Sequence, residues 1–164
     1  MDLNDFIKKA VEILPKGAFL TTKDNETVNT MTIGWGSFGF QWGVPVATVM
    51  VRESRHSKIA MDKGCDFTLT FPLDDSMKTA LGYCGQKSGK DTDKIADCGL
   101  KLIPAKEVST PVIDCKSLVM ECKIFASTPM TEELTCKEIL DKWYKSGDLH
   151  TMYHAKITGF YELS

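Results

Sequence analysis

Paired cysteines and glycine-rich phosphate loops, the signatures of many metal and cofactor sites, are missing from these 164 residues. The six cysteines stand at 65, 84, 98, 115, 122 and 136 and never form a Cys-x-x-Cys pair, the spacing that zinc ribbons, iron–sulfur loops and thioredoxin-like sites usually need. No Gly-x-Ser-x-Gly elbow is present, the glycine spacing of a Walker A loop is absent before any lysine, and there is no Rossmann glycine fingerprint. A hydrolase elbow, a P-loop and a resident dinucleotide are thereby excluded. No apolar run approaches the roughly 18 residues that span a bilayer, so no membrane association is expected. The acidic start Met1-Asp2-Leu3-Asn4-Asp5 has no apolar h-region, so a cytoplasmic location is expected. Without a secretion signal the cysteines are expected as reduced, mostly buried thiols. Charge of one sign is also lacking. A net charge of −2 and a pI near 5.9 speak against nucleic acid or an anionic membrane as a partner.

The hydrophobic fraction of 43% with 26% charged is ordinary for a globular chain and sufficient for one core. At this length a single domain over 1–164 is expected. Apolar residues at Phe6, Ile7, Ala10, Val11 and Leu14 have helical spacing, which Pro15-Lys16-Gly17 ends. Ala18–Thr22 and Thr27–Trp35 read as a hairpin, Gly34–Gly43 as a glycine-rich loop, and the β-branched Val44–Val51 as a central strand. Ser54 is expected to cap a short helix through Met61. Cys65–Phe71 reads as a strand, Asp74–Leu81 as a helix, Gly82–Lys90 as a loop and Thr92–Asp97 as a helical turn. Val112–Ala126 reads as a strand, Cys136–Tyr144 as a helix and Met152–Leu163 as a closing strand. Strands that mostly follow one another directly, with short helices between some of them, predict an antiparallel barrel rather than a doubly wound sheet.

Three stretches carry chemistry. Asn29-Thr30-Met31-Thr32-Ile33-Gly34-Trp35 opens polar and closes on glycine and tryptophan. Its backbone can offer donors and acceptors to a flat heteroaromatic ring, with Met31 and Ile33 turned to the core and Asn29, Thr30 and Thr32 facing the other way. Trp35 either walls such a ring or fills core, and spacing alone favours core. Ser54-Arg55-His56-Ser57 leads from a strand into a helix, so its amides and side chains suit a phosphate, although an ordinary helix cap explains it as well. Ser88-Gly89-Lys90-Asp91, expected to begin a second short helix with Lys94 one turn in, is the second phosphate candidate, and taken locally it reads as a turn with solvated charges. One place for a ring and two for a phosphate suggest a flavin mononucleotide site. His150 and His154 are four apart, but the intervening Thr151-Met152-Tyr153 suggests a strand, so no metal site is assigned.

Taken in order, Thr21-Thr22, Asn29–Trp35, Arg52-Glu53-Ser54-Arg55-His56-Ser57 and Cys84-Gly85-Gln86-Lys87-Ser88-Gly89-Lys90-Asp91-Thr92-Asp93-Lys94 resemble the flavin reductase-like proteins, and within them the flavoredoxin branch. The resemblance runs from about Ala18 to Leu100 and weakly again over His150 to Leu163. It implies a mainly β fold with α: an FMN-binding split β-barrel, antiparallel and Greek-key-like, with short peripheral helices. It also implies a homodimer, with FMN in a groove near the interface. Asn29, Thr30, Met31 and Thr32 would border the ring and ribityl chain. Ser54, Arg55, His56 and Ser57 would hold the phosphate, with Ser88, Gly89, Lys90 and Lys94 closing over it or over the ring edge. Trp35 and Cys84 would lie near the ring, although a buried structural role for Cys84 is the simpler expectation. Phe38 and Phe40 depart from the pattern, standing where a short proline-containing loop is expected. The implied activity is that of an FMN-dependent oxidoreductase or electron carrier, served transiently by NAD(P)H or a redox protein. No catalytic side chain is named, because hydride or electron transfer to flavin N5 requires no protein acid or base. The alternatives are a non-enzymatic flavin-binding barrel and an enzyme of the pyridoxamine-phosphate-oxidase type.

Overall fold

The computed structural model describes residues 1–64 and 66–164; Cys65, expected at the head of a strand, lies outside the described residues. In chain order the elements are α1 (Leu3–Ile13), β1 (Ala18–Asp24), β2 (Thr27–Ile33), β3 (Gly36–Gln41), β4 (Val44–Arg52), α2 (Ser57–Asp62), β5 (Asp66–Pro72), α3 (Lys78–Gln86), α4 (Lys94–Asp97), β6 (Leu102–Ile103), β7 (Val112–Ile113), β8 (Ser117–Pro129), α5 (Lys137–Trp143) and β9 (His150–Leu163). Seven strands form one antiparallel sheet in the order β2-β1-β5-β8-β9-β4-β3, while β6 and β7 pair as a separate short ribbon. The sheet is open, with β2 and β3 at its two edges, which is the split-barrel arrangement. Among the described residues no helix is long and apolar enough to cross a membrane.

Period-2 alternation sorts the side chains. Leu20 of β1 enters the main core with Leu69, Phe71, Leu118, Met120 and Tyr153, whereas its neighbour Phe19 enters a second cluster with Cys84 and Ile113 beneath α3. The helix α1 plugs one end of the main core, where Phe6 meets Phe71 edge-on at 6.4 Å and Phe160 at 5.5 Å. Its first turn is capped by Asp2, whose carboxylate accepts from Asp5 N at 2.9 Å.

The structure departs from the sequence reading in four places. Gly34–Gly43 is not a loop: β3 runs through it, paired with β4 from Gly36↔Val49 to Gln41↔Val44. The hairpin turns on Trp42 (φ 48°) and Gly43 (φ 78°), both left-handed as a two-residue turn of right-twisted strands requires. Phe38 therefore packs toward Phe71 at 6.2 Å, and Phe40 and Trp42 are left outside, each 72% exposed. The helix expected to end at Leu81 follows a 3-10 turn at Asp75–Met77 and continues to Gln86, taking Gly82 and Gly85 into its last turns. The stretch 112–126 is split, because Val112–Ile113 belongs to the ribbon and only Ser117 onward joins the sheet. The helix after Ser54 begins at Ser57 with His56 as its cap residue, so Ser54 is not the cap.

Candidate functional site

The edge strand β2 pairs on one side only, with β1, leaving alternate backbone N–H and C=O groups along its other edge without a sheet partner. Alternation puts Asn29 on the face of Met31 and Ile33, and Thr30 with Thr32 on the other, which corrects the expected grouping. Thr30 is fully buried, its hydroxyl 3.1 Å from that of Thr21, so only its backbone can serve a ligand. Thr32 donates to the α3 carbonyl of Leu81 at 2.6 Å, fastening β2 to that helix. Asn29 Nδ2 donates to the buried Ser57 Oγ at 2.8 Å and so ties β2 to the start of α2.

Two cations converge on the C-terminal end of α3. Arg55 donates from Nη1 to Gly85 O and from Nη2 to Cys84 O, both at 2.9 Å. Lys94 Nζ reaches the same Cys84 oxygen at 3.5 Å and Lys87 O at 3.3 Å. Carbonyls at a helix C-terminus carry partial negative charge, which is why cations gather there. Among the described residues, however, no carboxylate lies within 4.0 Å of either cation, whereas nearby Lys58 is paired with Glu53 and Asp62. Only 3% of Lys94 is exposed. Burial, with repulsion from Arg55, lowers its pKa from 10.5 to about 8. Burial also lowers the pKa of Arg55. A cation left in this condition gains most from an anion.

The amides expected to point together are largely engaged. Asp148 holds Ser54 through N (2.9 Å) and Oγ (2.7 Å), and Arg55 N donates to Arg52 O. Asp93 caps α4 through Ile95 N and Ala96 N, so the helix begins at Lys94 and not at Ser88. Instead Ser88 centres a tight turn, its hydroxyl accepting from Lys90 N at 3.2 Å. That turn brings Gly89 against Asn29 and His56: a Cβ on Gly89 would stand 2.1 Å from Asn29 Oδ1 and 3.1 Å from His56 Cδ2. His56 and Lys90 line both surface hollows beside this turn, and Arg55 lines one of them together with Ser54 and Ser88.

Arg55 and Gly85 also border a cavity of about 280 Å³ lined by Met31, Thr32, Ile33, Gly34, Trp35, Met50, Arg52, Trp143 and His150. The cations thus stand between an aromatic-walled cavity and a polar hollow. Trp35 is no core residue: it is 37% exposed and meets the half-exposed Trp143 edge-on at 4.8 Å. Arg52 donates to the backbone oxygens of Asp148 (2.8 Å) and Trp143 (3.3 Å), pinning α5 and its following loop beside the cavity. His150 is buried with Nδ1 2.6 Å from Tyr144 Oη, and burial with the neighbouring Arg52 lowers its pKa to about 4, leaving it neutral at pH 7. Cys84 offers the site its carbonyl, while its thiol is buried with Phe19 and Ile113, and burial raises its pKa to about 12.

The fold therefore brings together Asn29, Arg55, His56, Ser57, Ser88, Gly89, Lys90 and Lys94 at the polar end, and Met31, Thr32 and Trp35 at the aromatic end. The side chains of Thr30 and Cys84 face away, and Ser54 is held by Asp148. Arg52, Met50, Trp143 and His150 were not singled out for this site by the sequence. Met50 and Arg52 stand just before the Ser54–Ser57 segment, at the end of β4, whereas Trp143 and His150 are carried in from a distant part of the chain by α5 and by the pairing of β4 with β9. No group of histidine, cysteine and carboxylate side chains suited to a metal ion occurs among the described residues.

A family model described as "Flavin reductase like domain" matches residues 14–163. No curated protein matches the chain. Among solved structures, flavoredoxin from Methanosarcina acetivorans is similar with a TM-score of 0.69 at 21% identity, over 89% of this chain and 67% of that one. Flavoredoxin of Desulfovibrio vulgaris (Miyazaki F) gives 0.69 at 18% identity, over 89% and 68%. Nitrilotriacetate monooxygenase component B from Bacillus cereus gives 0.70 at 14% identity, over 100% and 78%. At these identities the likeness to solved structures is one of fold.

Proposed function

The chain belongs to the flavin reductase like family, and from that premise we propose that it binds FMN and acts as an oxidoreductase or electron carrier of flavoredoxin type. The observation that carries this reading is the pair Arg55 and Lys94: two partly or wholly buried cations sharing one carbonyl, with no carboxylate within 4.0 Å of either among the described residues, between an aromatic cavity and a polar hollow. A terminal phosphate dianion supplies the charge they lack. The donor set fits FMN in two further respects. The turn at Gly89 is backed closely by Asn29 and His56, so that any side chain there must displace Asn29. The outer edge of β2 offers backbone donors and acceptors beside Gly85 for the heteroatoms of the ring.

When bound, the flavin supplies hydride or electron transfer at N5. The chain's part is binding, orientation and electrostatics. Arg55 and Lys94 grip the phosphate, with His56, Ser57, Ser88 and Lys90 around it. Met31, Thr32 and Trp35, which line the aromatic cavity, would border the ring, and Trp35 with Trp143 would shield one side of it from water. A neutral His150 adds hydrogen-bonding capacity without charge. FMN is favoured over FAD because Arg55 and Lys94 suit one terminal phosphate. The donor is a nicotinamide nucleotide or a reduced redox protein that docks transiently. The exposed Phe40 and Trp42 belong to the contact of a cytoplasmic homodimer.

The test is the absorbance spectrum of the purified protein, followed by anaerobic titration with NADH. A yellow protein whose visible band bleaches on titration supports the reading. A protein that neither carries nor takes up FMN overturns it, and one that binds FMN but is reduced by neither NAD(P)H nor a ferredoxin-type donor is a flavin-binding barrel without turnover.

A further inference from the structure

We propose that Arg52 is the cation this chain sets at the ring end of its ligand, so that a flavin in the aromatic cavity takes on negative charge more readily than free flavin does. The inference rests on the FMN reading above. Of the residues that line the cavity, only Arg52 and Arg55 are charged, since burial keeps His150 neutral at pH 7. Arg55 is turned to Gly85 O and to the Cys84 carbonyl it shares with Lys94, beside the polar hollow, and serves the phosphate. That leaves Arg52 as the charge of the aromatic end.

Arg52 is half-buried and held in place. It closes β4 opposite His150 of β9 and donates to Asp148 O at 2.8 Å and Trp143 O at 3.3 Å. Its guanidinium carbon stands 5.1 Å from the centre of the Tyr144 ring. Two carbonyls and an aromatic face orient the charge without neutralising it. Among the described residues no carboxylate lies within 4.0 Å of Arg52. The two acids nearest in the fold are engaged elsewhere. Asp148 holds Ser54 through both oxygens, and Glu53 accepts from Thr151 and pairs with Lys58. A ring that gains negative charge in this cavity meets a cation already oriented, and in a partly buried site the attraction is weakened less than in bulk water.

Two properties of bound FMN report that charge without turnover. One is the pH at which ring N3 loses its proton. The other is the affinity for sulfite, whose sulfur lone pair bonds to N5 while the negative charge it brings settles on the N1–C2=O edge. The full-length protein loaded with FMN is titrated with alkali and with sulfite and followed by visible absorbance. N3 should ionise at least about one pH unit below free FMN, and sulfite should bind at least about 10-fold more tightly than it does to free FMN. Arg52→Gln should lose most of both effects. Arg52→Lys keeps the charge without the two-armed grip on Asp148 and Trp143, and should retain them. A purely structural arginine would instead be rescued by neither variant. The proposal is overturned if the parent protein titrates like free FMN in both respects, if Arg52→Gln retains both effects, or if Arg52→Lys loses them. The parent and Arg52→Lys decide the matter even where Arg52→Gln does not fold. A protein that takes up no FMN at all overturns the FMN reading, and this inference with it.

Discussion

Replacing Lys94 by methionine should make the flavin-free protein more stable and the flavin complex weaker. In the folded chain the Lys94 pKa falls from 10.5 to about 8, with burial as the largest cause. At roughly 1.4 kcal/mol per tenfold change in proton affinity, that fall corresponds to about 3 kcal/mol against the charged, ligand-free form at pH 7. Methionine keeps the length of the stem without the charge. It forfeits the hydrogen bonds at 3.3 and 3.5 Å to Lys87 O and Cys84 O, long ones worth about 0.5–1 kcal/mol each. The net gain is about 1–2 kcal/mol, or a rise in Tm of about 2–8 °C for a chain of this size. The pH dependence has a definite sign. Because the folded pKa lies below the unfolded one, the unfolded parent binds more protons between about pH 8 and 10.5, and parental stability rises across that window. The advantage of Lys94→Met is therefore full below pH 8 and fades toward 10.5. FMN affinity should fall about 10- to 100-fold, the worth of one charge-assisted contact. Calorimetric melts at pH 7 and 10 and a fluorescence titration with FMN measure all three quantities. A variant that melts below the parent at pH 7 and binds FMN as tightly as before would refute the reasoning.

Arg55→Ala should lower FMN affinity about 10- to 100-fold with the circular dichroism spectrum unchanged; an unchanged affinity would place the phosphate elsewhere. Gly89→Ala should displace Asn29 from its bond to Ser57 and cost FMN affinity while altering Tm by less than about 3 °C, since the turn is at the surface. A large loss of Tm with affinity intact would contradict the cradle. Light scattering at micromolar concentration should give about twice the chain mass of 18.3 kDa, and a monomer mass would remove the dimer.

Much of the fold was legible because alternation and turn chemistry are local. The β1–β2 hairpin turns on Asn25 in the left-handed region, and its strands carry period-2 patterns a reader can follow. The edge strand β3 was not legible, because Gly36, Gly39 and Gly43 look like loop residues until β4 supplies the partner. Likewise Gly82 and Gly85 suggested a break, yet α3 runs through them, with Gly85 fitting closely over Thr32. Within the site, Arg55, Lys94 and the Ser88 turn were visible as charge and hydroxyl clusters. That Asp148 would claim Ser54, or that Trp143 would stand against Trp35, depends on residues about a hundred positions away. No local pattern encodes such contacts.

The central claim is that Arg55 and Lys94 await a terminal phosphate, and calorimetric titration of the purified protein with FMN and with riboflavin tests it most directly. The two ligands share a ring and differ by the phosphate. The account predicts that FMN binds at least about 100-fold more tightly, and that the difference shrinks toward nothing in the Arg55→Ala/Lys94→Met double variant. Equal affinity for FMN and riboflavin in the parent protein would contradict it.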